Sequence, residues 1–300
     1  MNSYSSKPMA LLFPGQGSEA LGMSKGWEQV EAWNSAMDRA ESHSGLPLRE
    51  WMSAGPDECV KDQGNSPVII ISHSIGIFLS HSQVGMPRPA MAAGHSLGFY
   101  AALVAAGAIP LETVIDLVMD NERTAKEKFG RGQYGMAYLI GIKAEALQDA
   151  LENWPELHIA NVNSNAQFTV SGVLDALNGL LSQVGGQCLH SGLLPVTYPL
   201  HGPMMKAVSM EVKKRMSCAK ANALGFSLVS HVDGRIISDG QEAWDEALES
   251  ITLPVVWPSV INSLVAHSCA VFECGFGKQL ANLCRWVQRE MVVESLSCPP

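Results

Sequence analysis

A serine set between two glycines, Gly94-His95-Ser96-Leu97-Gly98, lies within an apolar run over residues 90–106 and limits this chain more than any other feature. Residues 91–110 approach the length of a bilayer crossing, yet they carry His95, Ser96 and the glycines Gly94, Gly98 and Gly107. Gly94 and Gly98 have the G-x-x-x-G spacing of paired membrane helices. The run is only marginally long enough to span, and its polar residues cluster at one end, so a membrane span is set aside. What fits better is a strand over residues 90–93, a turn, and a helix over residues 99–106, the context that a nucleophile elbow requires. Glycines around a serine also occur in ordinary turns, so the strand and helix carry the argument. The glycines permit the tight turn that exposes Ser96, and the Leu97 N–H at the helix start can hold an oxyanion.

The remaining order of elements reads as α/β. Residues 10–13 form a short strand running into the turn cluster Pro14-Gly15-Gln16-Gly17-Ser18. Residues 27–51 have a helical, amphipathic pattern, and residues 68–78 are a more buried helix or strand opened by Asn65-Ser66-Pro67. From residue 135 the texture changes to strand 136–142, helix 144–154, strands 158–163 and 167–172, helix 174–184 and strand 188–196. That βαββαβ order predicts a small ferredoxin-like subdomain over residues 133–196, inserted between the two parts of a larger domain, 1–132 and 197–300. Residues 202–221 read as helix, 227–231 and 270–273 as strands, and 278–288 as a closing helix. The sequence has no internal repeat and no low-complexity tract.

Composition narrows the partners. With 47% hydrophobic and 16% charged residues over 300 positions, the chain is globular and can bury a sizeable core. A formal net charge of −9 argues against nucleic acid as the main partner. The seven cysteines (Cys59, Cys188, Cys218, Cys269, Cys274, Cys284, Cys298) form no C-x-x-C pair, so neither a disulfide framework nor a metal site is expected. Residues 1–7 lead into the first strand without the apolar core and cleavage site of a signal peptide, and a reducing cytoplasm is the expected location.

With these residues in place, the chain resembles the acyltransferase family that loads acyl carrier proteins in fatty-acid and polyketide synthesis. The resemblance runs along nearly the whole chain. It rests on Phe13-Pro14-Gly15-Gln16-Gly17-Ser18, Gly94-His95-Ser96-Leu97-Gly98, Asn161-Val162-Asn163-Ser164, His201, Pro254-Val255-Val256-Trp257 and Glu273-Cys274-Gly275-Phe276-Gly277-Lys278, separated motifs in the family's order. It implies an α/β-hydrolase-like large domain with the ferredoxin-like subdomain closing over the site. It also implies Ser96 as nucleophile, His201 as general base, the N–H groups of Gln16 and Leu97 as oxyanion hole, and the Leu253 carbonyl as the group orienting the histidine. No permanent cofactor is implied, because the acyl group arrives on the phosphopantetheine of coenzyme A or of an acyl carrier protein. Of the other histidines, His95 adjoins the nucleophile and helps line the site. His43, His73, His81, His158, His190, His231 and His267 read as surface or satisfied core residues.

The sequence departs from the malonyl-using members at the specificity positions. Those relatives place an arginine on the helix after the nucleophile, where it pairs with the substrate's free carboxylate; aligned without a gap from Ser96, that position holds Asn121. Leu111, Val114, Ile115 and Val118 form an inward stripe that position 121 continues, while Arg123 is about 200° further round the helix and follows Asp116, Asp120 and Glu127 on a charged face. Phe99 stands where extender-loading relatives usually have Glu or Gln, and Ser66 where many have Gln. Asn121, Phe99, Ser66 and Leu200, beside His201, are therefore the expected acyl-specificity residues. An unpaired carboxylate in such a pocket would cost on the order of 3 kcal/mol.

Three readings stand at this stage. The first is a serine enzyme that transfers or hydrolyses a non-malonyl acyl group on an acyl carrier protein, with relatives among trans-acting polyketide acyltransferases and acyl hydrolases. The second is a malonyl-CoA:acyl-carrier-protein transacylase that uses Arg123 or another cation. The third is a carrier-protein binding module without chemistry. For a carrier protein to dock, Lys206, Lys213, Lys214, Arg215 and Lys220 offer local positive charge on the helix after His201.

Overall fold

The computed structural model describes residues 7–130 and 132–300. The amino-terminal stretch weighed as a leader lies, apart from Lys7, outside the described residues. Eleven strands are found among those described: β1 (Met9–Phe13), β2 (Met91–Gly94), β3 (Tyr134–Ile140), β4 (Leu157–Ser164), β5 (Gln167–Val173), β6 (His190–Leu193), β7 (Ser227–Val229), β8 (Ile236–Ile237), β9 (Val255–Val256), β10 (Ala270–Glu273) and β11 (Val293–Ser295). They form two sheets.

The larger sheet has the order β11-β10-β1-β2-β7-β8, parallel throughout except for the antiparallel β7–β8 edge. Its central strand β1, Met-Ala-Leu-Leu-Phe, is buried at every position because helices cover both faces. Alternate side chains serve opposite cores. Met9, Leu11 and Phe13 join the cluster beneath the Ser66–Gln83 and Gly98–Ala105 helices, whereas Ala10 and Leu12 join the one formed with Trp257, Val260 and Leu264. Two neighbouring parallel strands, β1 and β2, thus deliver the Pro14–Ser18 turn and the Ser96 turn to the same carboxyl edge of the sheet.

The smaller sheet has the order β6-β3-β5-β4-β9. With the Ala144–Leu151 and Leu174–Val184 helices on one side, its first four strands have ferredoxin-like order and antiparallel pairing, as expected from βαββαβ. A fifth strand departs from that expectation: β9 comes from residues 255–256, well past the insertion, and pairs in parallel with Asn161 and Val162 of β4. The Pro254-Val255-Val256-Trp257 motif therefore ties the small sheet to the large domain.

Elsewhere backbone chemistry cuts elements that periodicity joined. The helical stretch 27–51 becomes the Glu31–Ser44 and Leu48–Ala54 helices, because Gly45 adopts the left-handed conformation (φ 71°) and Pro47 follows it. Residues 66–83 are helix, Ser66–Gln83, buried almost all round. The expected helix 202–221 reduces to Lys206–Arg215 between short 3₁₀ turns. No helix among the described residues is long and apolar enough to cross a membrane.

Candidate active site

β2 ends at Gly94, and the chain reverses through His95 and Ser96 into the Gly98–Ala105 helix. Ser96 has φ 52°, a conformation that side chains rarely adopt, and it is held there by close packing. A Cβ on Gly94 would lie 2.0 Å from the Gly98 carbonyl carbon, and one on Gly98 would lie 1.9 Å from the Phe13 oxygen. Both glycines are thus required by the approach of the turn to its own helix and to β1. The elbow expected from the sequence is present.

His201 has φ 59°, and its N–H donates to the Ile251 carbonyl at 2.8 Å. Its ring is set by the 3₁₀ turn Ser250–Thr252 and the residue after it. Nδ1 lies 2.9 Å from the Leu253 oxygen and 3.0 Å from the Ser250 oxygen. Two carbonyls can only accept, so Nδ1 carries the proton and Nε2 presents a lone pair. Ser96 Oγ stands 2.6 Å from that Nε2 and donates to it. Burial pushes the His201 pKa below its usual value, against the two carbonyl hydrogen bonds, which favour the charged ring. Nothing in the sequence marked Ser250, since it contributes a backbone carbonyl.

The Pro14–Ser18 turn lies against the elbow. A Cβ on Gly15 would meet the His95 oxygen at 2.5 Å and the Leu97 nitrogen at 3.7 Å. Among the described residues, neither the Gln16 N–H nor the Leu97 N–H donates to another protein group. Gln16 is held from three sides: its side-chain amide donates to Ser66 Oγ at 3.2 Å, its carbonyl accepts from Gln279 Nε2 at 3.3 Å, and Ser18 Oγ donates to the Gly15 carbonyl at 2.8 Å.

His95 turns away from Ser96 toward the small sheet. Its Nε2 is 2.8 Å from Asn163 Oδ1, its ring meets Trp257 edge-on at 5.2 Å, and burial lowers its pKa to about 4. The Asn161–Ser164 and Pro254–Trp257 motifs thereby converge on the residue preceding Ser96.

Two cavities meet at Ser96 and His201. The inner one runs between the Leu111–Phe129 helix and the His201 segment, lined by Pro67, Val118, Ala125, Leu200, Met205 and Ile251, with Gln63, Tyr100, Asn121, Glu122, Tyr198 and Ser250 among its polar groups. No lysine or arginine lines it among the described residues. The outer one opens beneath the small subdomain, where Met136, Asn161 and Leu194 face Glu19, Lys61, Gln63 and Ser66.

Asn121, Leu200 and Ser66 thus reach cavity walls, as expected. Phe99 does not: it is fully buried, lines neither cavity and packs on the His231 ring at 4.8 Å. The elbow turns Phe99 into the core behind Ser96, which corrects its expected place in the pocket. His231 is likewise a core residue, but neither ring nitrogen has a well-formed partner, and burial holds its pKa near 3. Arg123 lies outside, exposed and paired with Asp120. Tyr100, Glu122, Tyr198 and Asn163 were missed as contributors; Asn163 stood within a recognised motif and could have been found there. Tyr100 donates to Ser250 Oγ at 2.8 Å, since that hydroxyl already donates to the Ala247 carbonyl. The Asn121 amide also reaches the Tyr100 hydroxyl, whose pKa burial raises to about 12.

The family model for the acyl transferase domain matches residues 10–243. The chain is 28% identical over 299 residues to the malonyl CoA-acyl carrier protein transacylase of Bacillus subtilis strain 168, covering 97% of this chain and 94% of that protein. It is 30% identical over 283 residues to the polyketide biosynthesis protein ThaF of Burkholderia thailandensis, covering 92% of this chain and 24% of that longer protein. Its fold matches the crystal structure of the acyl-carrier-protein S-malonyltransferase from Burkholderia pseudomallei 1710b with a TM-score of 0.92, at 26% identity and 97% coverage of each chain.

Proposed function

The chain belongs to the acyl transferase domain family and is an enzyme of that family; from that premise we propose that it carries a neutral acyl group on Ser96, taken from a phosphopantetheine thioester. In the first step Ser96 Oγ attacks the thioester carbonyl while its proton passes to His201 Nε2. The negative charge formed on the carbonyl oxygen is received by the N–H groups of Gln16 and Leu97. Collapse expels the thiolate, which takes the proton from His201 and leaves an acyl ester on Ser96. A second nucleophile, the thiol of another phosphopantetheine or water, then gives its proton to His201 and bonds to the acyl carbon, and the acyl–oxygen bond to Ser96 breaks as Ser96 Oγ takes that proton back from His201. The Ser250 and Leu253 carbonyls stabilise the imidazolium without a triad carboxylate.

The observation that carries the neutral specificity is the pair Asn121 and Arg123: the amide lines the inner cavity and the guanidinium is outside it. An amide can hydrogen-bond a neutral acyl group but cannot neutralise a carboxylate as a bidentate arginine does. The relatives named for malonyl transfer favour a second reading, malonyl transfer to an acyl carrier protein. A panel of acyl-carrier-protein thioesters, followed by mass for both free acid and transferred product, separates the two readings. It also separates transfer from hydrolysis. Preference for malonyl would overturn the neutral reading.

The proposed partner is an acidic acyl carrier protein. The basic residues after His201 are less available than their sequence suggests, because Lys213 pairs with Glu249 and Arg215 pairs with Asp120 and Glu211. Lys206, Lys214 and Lys220 are exposed, form no ion pair among the described residues, and are the proposed docking charges. The cytoplasmic location proposed for the chain rests on its seven cysteines, all of them free.

A further inference from the structure

The Phe13–Ser18 motif ends in a serine that the reaction above does not use. Ser18 is buried, at 8% exposure, and its Oγ donates to the Gly15 carbonyl at 2.8 Å. That carbonyl belongs to the same peptide unit as the Gln16 N–H. The Gly15–Gln16 bond is trans, so its C=O and N–H point in opposite directions, and anchoring one aims the other. Gly15 is required by the approach to the His95 carbonyl, where a Cβ would sit at 2.5 Å. The same glycine leaves the following peptide free to rotate, because no side chain restricts its backbone angles.

We propose that Ser18 is a positioning residue for the oxyanion hole, holding the Gly15–Gln16 peptide so that its N–H faces the tetrahedral intermediate. The inference rests on the assignment of the Gln16 N–H as an oxyanion donor. The next peptide is held independently through Gln279, which donates to the Gln16 carbonyl from the first turn of the Gln279–Val287 helix. That turn is fixed in its place by Glu273, fully buried at the end of β10, whose carboxylate accepts from the Leu280 and Ala281 N–H groups at 2.8 and 2.9 Å. Gly275 completes the support, since a Cβ there would lie 2.3 Å from Pro14 Cγ. The Glu273–Lys278 motif thus backs the loop that Ser18 locks. Oxyanion donors act by being aimed before the charge develops, so a loose peptide plane loses rate without losing substrate binding.

The test uses the full chain with acetyl-N-acetylcysteamine thioester as substrate and phenylboronic acid as tetrahedral adduct of Ser96. Ser18→Ala is expected to lower kcat by about ten- to a hundredfold, less than outright removal of an oxyanion donor, and to weaken phenylboronic acid binding by a similar factor. KM should stay within about twofold, and Ser18→Thr should recover both losses. If Ser18→Ala does not fold, Ser18→Cys carries the test, because it fills the space with a weak donor. An unchanged kcat in the folded variant overturns the inference, and so does a lowered kcat with unaltered phenylboronic acid affinity. Acyl capture on Ser96 in the unmodified enzyme is scored separately: its absence would fail the nucleophile assignment, whereas capture with an indifferent Ser18→Ala would fail only the role of Ser18.

Discussion

The two cavities that meet at Ser96 are built differently. The outer one is walled by both domains and is mixed in polarity, with Lys61 and Glu19 near its rim and Met136 and Leu194 above. The inner one is walled by the large domain alone, is mostly apolar, and contains one carboxylate, Glu122, and amides, Asn121 among them, but no lysine or arginine among the described residues. The proposed reacting groups sit on the seam between them: both cavities include Gln16, Ser96, Leu200 and His201. The contrast separates two kinds of design. On the proposed reading, bond making depends on strained backbone and carbonyl contacts at the seam, while acyl choice depends on the side chains that the Leu111–Phe129 helix turns inward.

The first way to break this comparison is at the seam. Ser96→Ala should abolish acyl-enzyme formation, read by intact-protein mass after incubation with acyl thioester. His201→Ala should lower turnover by about 10²–10⁴-fold in a protein of unchanged circular dichroism, the range expected for a lost general base. Near-normal turnover in either variant would remove the seam as the reaction centre.

The inner cavity is next. Asn121→Arg should raise malonyl over neutral acyl loading by about ten- to a hundredfold, since one well-placed ionic contact contributes about 1.4–2.8 kcal/mol. Arg123→Ala should barely change acyl preference. Efficient malonyl loading by the unmodified enzyme, lost only in Arg123→Ala, would show that the wrong helix face has been assigned.

Effects at the surface should be smaller. Lys206→Glu with Lys214→Glu should raise KM for carrier protein about fivefold and leave small thioesters unaffected, because charge reversal at an interface acts mainly on docking. Equal changes in both substrates would place the effect in folding. The smallest expected effect is in pH. A lowered His201 pKa keeps the base neutral to lower pH, so acyl-enzyme formation should be more than half-maximal at pH 6.5, where an unshifted histidine would be half protonated. A half-maximal rate at or above pH 6.5 would contradict it.

How much of this was legible beforehand differs from motif to motif. Gly94-His95-Ser96-Leu97-Gly98 could be read because its glycines are needed by local geometry that strand, turn and helix impose. The βαββαβ subdomain was legible because periodicity follows from which face is buried, yet β9 was not, since two residues carry no period. Asn121 could be placed by its alignment from Ser96 with the family together with helical phase. Phe99 was misplaced, because its direction depends on how the turn at Ser96 is strained, and so was the length of the helices around residues 45 and 205. The pairing of Lys213 with Glu249 and of Arg215 with Asp120 joins residues far apart in the chain, which no local reading reaches.

By itself, then, the sequence determined the elbow, the βαββαβ order of the small subdomain and the inward face of the Leu111–Phe129 helix, all of which follow from interactions within a few residues. The tertiary structure alone decided that Ser250 joins Leu253 in holding His201, that Gln279 and Ser66 grip Gln16, and that Phe99 packs behind the site rather than in it. Those contacts are long-range hydrogen bonds and packing against distant elements, and their partners are chosen only when the sheet brings the loops at its carboxyl edge together.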